Sequence, residues 1–376
     1  MTFTIFKNAI LIDPELKTEI KGDLLIEKDK IKDVGIQVNT PTNLLRIINC
    51  EGKHLAPGII DIGVKVCEPG ERHKESFKSA GQAAAAGGVT TIVTRPDTVP
   101  AIDTPEILEF ILRRANESTP VNVLPMAALT KGREGNEMTE IGFLQDAGAV
   151  AFTDCDRVVS DTKVLSNALT YARSLNALVL GHPQEPYLSK GATMTSGKFA
   201  SLRGLPSVSP IAERLGVDRD LSLIQMTGVA YHFDQITTSH ALSSLARAKE
   251  NGVNVTSGTS IHHLTLNEFD IADYRTFFKV KPPLRSEDDR LAIVKAVQDG
   301  LIDIISSMHT PQDEESKRLP FEEAASGAVG LETLLPAALR LYHAQMLDLP
   351  TLFRALSLNP AKRLGLASGR LRKGSP

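Results

Sequence analysis

The sequence predicts an α/β fold in which a (β/α)8 TIM-type barrel follows a small β-module. Three observations predict it. From residue 55 onward, eight apolar strand-like runs alternate with helix-like segments, the order that builds a parallel sheet and closes a barrel. The strand runs are continuously apolar, as expected when both faces of a sheet are covered. Residues 1–54 hold short β-type runs and no segment of useful helical length. A length of 376 residues with 23% charged and 42% hydrophobic side chains excludes disorder, collagen and coiled coil as whole-chain descriptions. Forty-two basic against 45 acidic side chains leave a net charge of −3, so no overall positive field invites nucleic acid or an anionic membrane.

In the N-terminal part of the module, residues 1–54, the runs FTIFKNAILID, GDLLIEKDKIKDVGI and NLLRIINCEGKHLAPG are rich in β-branched and aromatic residues. Turn signals divide them at Asp13-Pro14, Lys21-Gly22 and Thr40-Pro41-Thr42.

The barrel is assigned to residues 55–363. GIIDIGVKV precedes the Ala-rich KESFKSAGQAAAAGG, VTTIVTRP precedes TPEILEFILRRAN, and VNVLPMAALT precedes TEIGFLQDAG. AVAFTD precedes TKVLSNALTYARSLN, and ALVLGHP leads to a helix around VSPIAERLG. VAYHFDQITT precedes SHALSSLARAKENG, and VNVTSG opens a unit ending in SEDDRLAIVKAVQDG. IDIISSMHTP opens the eighth, with FEEAASGAVGLETLLPAALRLYH as its helical part. Apolar residues at i, i+3 and i+4 support the helices, as at Leu242, Leu245 and Ala246, or Leu291, Val294 and Val297. A doubly wound open sheet is the alternative, weakened because no G-x-G-x-x-G follows a first strand. Residues 364–376 read as the start of a return to the β-module.

The N-terminal MTFTIFKNAILIDPELK is broken by Lys7, Asn8, Asp13 and Glu15, unlike a signal peptide. No run of about 18 apolar residues offers a membrane span. Cys50, Cys67 and Cys155 are widely spaced, without a C-x-x-C pattern, which suits a reduced cytoplasm and core positions. A cytoplasmic protein is the expectation.

Functional residues of such a barrel sit at the C-terminal ends of its strands. In order these are Asp61, Gly63 and Lys65; Asp97; Asp154 and Asp156; His182; Gln235; and Met308 with His309. The surrounding segments carry a resemblance over nearly the whole chain. APGIIDIGVKVCEPG is similar to P-G-h-h-D-x-H-x-H-h-R-E-P-G, and AGGVTTIVTRPDTVP to A-x-G-G-h-T-T-h-h-x-M-P-N-T-x-P (h, hydrophobic). AGAVAFTDCD, VKPPLRS, ISSMHTPQDEESK and SLNPAKRLGL follow in the expected order. The chain resembles the amidohydrolase superfamily, and most closely the dihydroorotases.

The resemblance implies a two-metal site that polarises an amide carbonyl and turns water into hydroxide. It also implies which residues should build that site, and most differ here. Gly63 and Lys65 stand at the two histidines of D-x-H-x-H, and Gln235 at the histidine after the sixth strand. Gly63 offers no ligand atom, and a charged Lys65 would set an ammonium where a dication belongs. Met308 stands at the family's general acid/base Asp, and a thioether moves no proton at neutral pH. Cys67 replaces the substrate-binding Arg, Asp97 the Asn of M-P-N-T, and Lys281 the Asn of N-P-P-L-R. His182 matches a ligand position, and Asp154 or Asp156 the carboxylate after the fourth strand; these are remnants, with a single metal on Asp154 and His182, aided by Gln235, as the reduced arrangement. His232 or His240 could substitute, although strand alternation places His232 on the opposite face from Gln235. Lys65 is expected to pair with Asp61, Asp154 or Asp156. The retained Glu68-Pro69-Gly70, His309 and Pro282-Pro283-Leu284-Arg285 read as turn chemistry and packing.

Three functions follow as expectations. The first is a catalytically silent homologue that assembles, as inactive members of the family do, with aspartate transcarbamoylase of pyrimidine biosynthesis. The second is an active metal-dependent cyclic amide hydrolase, dihydroorotase or a hydantoinase- or allantoinase-like relative, using substitute ligands; zinc is expected only here. The third is a non-catalytic small-molecule sensor. A homo- or hetero-oligomer is the default. GLASGRLRKGSP matches the point where the family continues into further strands, so the expectation is a truncated C-terminus.

Overall fold

The structure is a computed structural model that describes residues 3–39 and 46–376. The turn expected at Thr40-Pro41-Thr42 lies outside the described residues.

Strands β1 (Phe3–Asp13), β2 (Thr18–Glu27), β3 (Lys30–Gly35), β4 (Arg46–Asn49) and β5 (His54–Leu55) form the first sheet. Its order is β3-β2-β1-β4, with β5 also pairing β1. Asp13 makes the first turn by accepting the amides of Glu15 and Leu16 at 2.8 and 3.0 Å. The turn expected at Lys21-Gly22 is not there: both residues lie inside β2. A β-carbon at Gly22 would stand 2.6 Å from the Gly35 carbonyl oxygen, so a close backbone approach, and not a turn, requires glycine. Ala9, Leu11, Leu24 and Ile31 form this sheet's core together with Leu371 from the far end of the chain. Ile31 also exchanges 2.8 Å backbone bonds with Gly374 and Ser375.

The barrel follows as β6 (Ile59–Val64), β7 (Val89–Thr94) and β8 (Asn122–Pro125), all parallel. The fourth strand, expected at AVAFTD, contracts to Phe152, which bridges Ala127 on one side and Val179 on the other. β9 (Leu178–Gly181) comes next. An excursion carries the short pair β10 (Met194–Thr195) and β11 (Ser207–Val208) before β12 (Ala230–Phe233), β13 (Val255–Ser260) and β14 (Ile304–Ser306) complete the circuit.

Helices cover the outside. Ser76 begins Phe77–Ala86 with a capping box closed by Ser79, and Asp161 caps Thr162–Ser174. Ser286 caps Glu287–Gln298, whose first turn is acidic. The buried stripe there is Ile293, Val294, Ala296 and Val297; Leu291, expected in it, is 41% exposed. Of the stretch expected to be helical in the eighth unit, Leu334–His343 is helical, while its opening FEEAASG is not; a short helix, Glu314–Lys317, precedes it. Among the described residues no helix is long and apolar enough to cross a membrane.

Candidate functional site

The strand ends converge, but on a filled centre. Gly63 has a φ of +98°, and a β-carbon there would stand 2.8 Å from the Met308 sulfur. Met308 and Cys155 hold left-handed backbone angles, φ +46° and +57°, a strained state for residues with a side chain. The remaining cavity is about 20 Å³, lined among others by Gly63, Arg95, Cys155, His232, Asp234 and Met308. That is room for about one water.

His232 was expected on the face away from the site, yet it lines this cavity. Its Nδ1 lies 2.9 Å from the Thr256 hydroxyl, and burial pushes its pKa down to about 3, leaving a neutral imidazole. Gln235 does not face the centre; its amide donates to the Lys281 carbonyl at 3.4 Å. His182 is buried with Nδ1 3.3 Å from Asp234, a partner that sequence reasoning passed over. His240 is the second residue of the helix Ser239–Glu250, outside the cavity lining.

The carboxylates divide by task. Asp61 is fully buried and accepts the Ser307 amide at 2.8 Å. Asp154 accepts the amides of Leu129 and Thr130, each at 3.0 Å, and the Thr130 hydroxyl, so it fastens the loop after β8. Asp156 faces the mouth and lies 2.8 Å from Arg133, 3.1 Å from Lys281 and 3.8 Å from Arg95. Burial raises its carboxyl, but Arg95, Lys281 and Arg133 together hold it well below the usual carboxylate range.

Lys65 pairs with none of the three partners expected for it. Its ammonium lies 3.5 Å from Asp97 and 3.6 Å from Glu71. Asp97 and Glu71 stand beside it instead, while Asp154 is taken up by the Leu129 and Thr130 amides and Asp156 is held by three other cations. Asp97 also accepts from Arg95 at 3.0 Å, so its negative charge is compensated within the protein. Cys67 is buried, and burial pushes its thiol up to about 11. His309 accepts the Gly330 amide on Nδ1 at 3.1 Å, which puts its proton on Nε2, 3.1 Å from Glu75.

Arg95, Arg133, Asp234 and Glu71 are the residues that sequence reasoning missed. For Arg95 a signal was present: it stands at the motif's Met, a charge ending an otherwise apolar strand. The donor set does not suit the metal pair that the resemblance implies. Positions 63 and 308 supply no oxygen or nitrogen ligand, and Lys65 and Arg95 bring cations to the centre. Among the described residues no three His, Cys, Asp or Glu side chains stand together as a metal ion would need.

A (β/α)8 barrel with its strand-end site beside an N-terminal β-sheet is the fold class of this protein. Two solved structures share it: L-hydantoinase from Arthrobacter aurescens, with a TM-score of 0.89 at 22% identity, and dihydropyrimidinase from Brevibacillus agri, with 0.84 at 19%. Each alignment covers 100% of this chain, with 85% and 84% of the respective partner. The Dihydro-orotase-like family model matches residues 52–241. Dihydroorotases of Wolbachia sp. subsp. Drosophila simulans (strain wRi) and Ehrlichia canis (strain Jake) are 40% and 38% identical. The alignments cover 98% and 99% of this chain and 83% and 84% of theirs. The chain belongs to the dihydroorotase family.

Proposed function

We propose that this chain is a non-catalytic member of the dihydroorotase family that acts in pyrimidine biosynthesis as an assembly partner of aspartate transcarbamoylase. The observation that carries the reading is the filled centre, where Gly63 and Met308 close on each other and leave about 20 Å³. Pockets for small ligands run from about 300 Å³ upward. Hydrolysis of a cyclic amide needs an activated water and a group to protonate the leaving nitrogen. Met308 supplies neither, and His232 is held neutral within the barrel. No metal is required in this reading, and the three buried, free cysteines suit a reduced cytoplasm.

The test is an assay of the purified chain, with zinc and with manganese, for dihydroorotate hydrolysis and carbamoyl-aspartate cyclisation, alongside size-exclusion chromatography with the transcarbamoylase. The expected result is no turnover above the uncatalysed rate and co-elution of the two proteins. Turnover sinks the silent reading, and separate elution sinks the partnership. A rise in Tm with dihydroorotate but no turnover favours a sensor instead.

A further inference from the structure

The charged groups of the mouth form one alternating series. Glu71 lies 3.6 Å from Lys65, Lys65 3.5 Å from Asp97, and Asp97 3.0 Å from Arg95. Arg95 lies 3.8 Å from Asp156, which also meets Arg133 at 2.8 Å and Lys281 at 3.1 Å. Four cations thus alternate with three carboxylates, on the loops after β6, β7, β8, Phe152 and β13. Lys74 extends the series, joining Glu71 at 2.5 Å to Asp313 beyond β14 at 3.9 Å. The two loops not yet included are tied by His182–Asp234, and Gln235 donates to the Lys281 carbonyl.

From this arrangement we infer that the ion series cross-links the loops of the barrel mouth in place of metal ions, so that the mouth holds its shape without metal. The interior members suit the task. The side chains of Lys65, Arg95, Asp97 and Arg133 are 14%, 9%, 6% and 9% exposed, where charges are screened little by salt. A charge at such a site is stabilised only by its partners, and loss of one partner strands the next. Removing Lys65 leaves Asp97 with Arg95 alone and Glu71 with Lys74 alone; neutralising Asp97 as well removes part of that penalty.

The inference deepens the non-catalytic reading but is tested apart from it. Thermal unfolding is measured for the wild type, Lys65→Met, Asp97→Asn and the double variant, and for the wild type with EDTA and with added zinc. Each single change is expected to lower Tm by roughly 5 °C, with the double variant falling by clearly less than the sum. EDTA and zinc are expected to leave the wild-type Tm unmoved. Additive single effects, or a fall of several degrees with EDTA, overturn the inference. Should the interior variants fail to fold, Lys281→Met, at a half-exposed residue, keeps the question open to measurement. It is expected to lower Tm in the wild type and to have no effect beside Asp156→Asn; an equal effect in both backgrounds overturns the inference. Additivity without turnover sinks this inference alone, while turnover with intact coupling sinks only the silent reading.

Discussion

Asp61 accepts the Ser307 amide at 2.8 Å, and that bond crosses the seam where the first barrel strand meets the eighth. Among the described residues β6 and β14 belong to separate sheets, so a ladder does not close the circle there. Closure depends on single bonds: Asp61 to Ser307, and the Lys65 amide donating to the His309 carbonyl at 2.8 Å. His309 is itself fixed by Gly330 and Glu75. Two motif residues, Asp61 and His309, therefore have structural work at the seam.

That position gives Asp61 a pH signature. Burial lifts its carboxyl to about 6, with the Ser307 bonds and the nearby His309 offsetting part of the rise. Unfolded, it titrates near 3.8. Between these values the folded chain holds a proton that the unfolded chain has lost, so this group's contribution falls as pH rises from about 4 through 6 and is flat above. The total is about 3 kcal/mol. Glu68 and Glu71, held low mainly through their cationic partners despite burial, act the other way only at lower pH. Asp61→Asn keeps the acceptor for Ser307 and removes the titration. Urea unfolding from pH 4 to 7 should show the wild type losing stability relative to the variant up to about pH 6 and no further above it; parallel curves throughout would refute the assignment.

Much of this molecule is legible in the sequence, and the divide follows the range of the interactions. β1 coincides with the run FTIFKNAILID, and the barrel strands fall within the predicted runs except β13, which continues two residues past VNVTSG, because both depend on local residue type and burial. Gly22 misleads because the cause of its glycine is the Gly35 carbonyl across the sheet. Arg95 misleads because a charge normally reads as surface, whereas here Asp97 two residues on makes burial tolerable. The absence of usable ligands at positions 63 and 308 is written in the residues themselves. What replaces them is not, since Lys65 meets Asp97, and Lys281 meets Asp156, only once the loops converge.

A second prediction concerns the wall between β9 and β12. A β-carbon at Gly181 would lie 1.6 Å from the Tyr231 hydroxyl oxygen. Tyr231 has no room to yield: it is 1% exposed, packs edge-on against Phe233 at 5.1 Å, and donates to Asp220 at 2.8 Å. Gly181→Ala should cost about 3 kcal/mol, the upper part of the overpacking range. Tyr231→Phe in the same chain should recover part of the loss by removing the clashing oxygen. Chemical denaturation of the two variants checks both, and an unchanged midpoint for Gly181→Ala would contradict the packing.

The largest single-residue loss is expected at Glu213, on the helix Ile211–Thr227 and fully buried. It accepts the amides of Thr237 and Thr238 at 2.9 and 2.8 Å, and hydroxyl bonds from the same two threonines. Arg285, 2% exposed, lies 3.5 Å away and also donates to Thr237 and Thr195. The carboxylate thus holds the loop after β12 and the loop before Glu287–Gln298 to one helix. Glu213→Ala leaves two amides and a buried guanidinium without their acceptor, a loss of about 3–5 kcal/mol. Glu213→Gln retains an acceptor oxygen for the amides but not the charge facing Arg285, so it should lie between the alanine variant and the wild type. Pairing each change with Arg285→Met separates the two contributions. If the guanidinium matters as its burial implies, Arg285→Met softens the Glu213→Ala loss; a loss that stays the same in both backgrounds would assign the whole effect to the threonine amides.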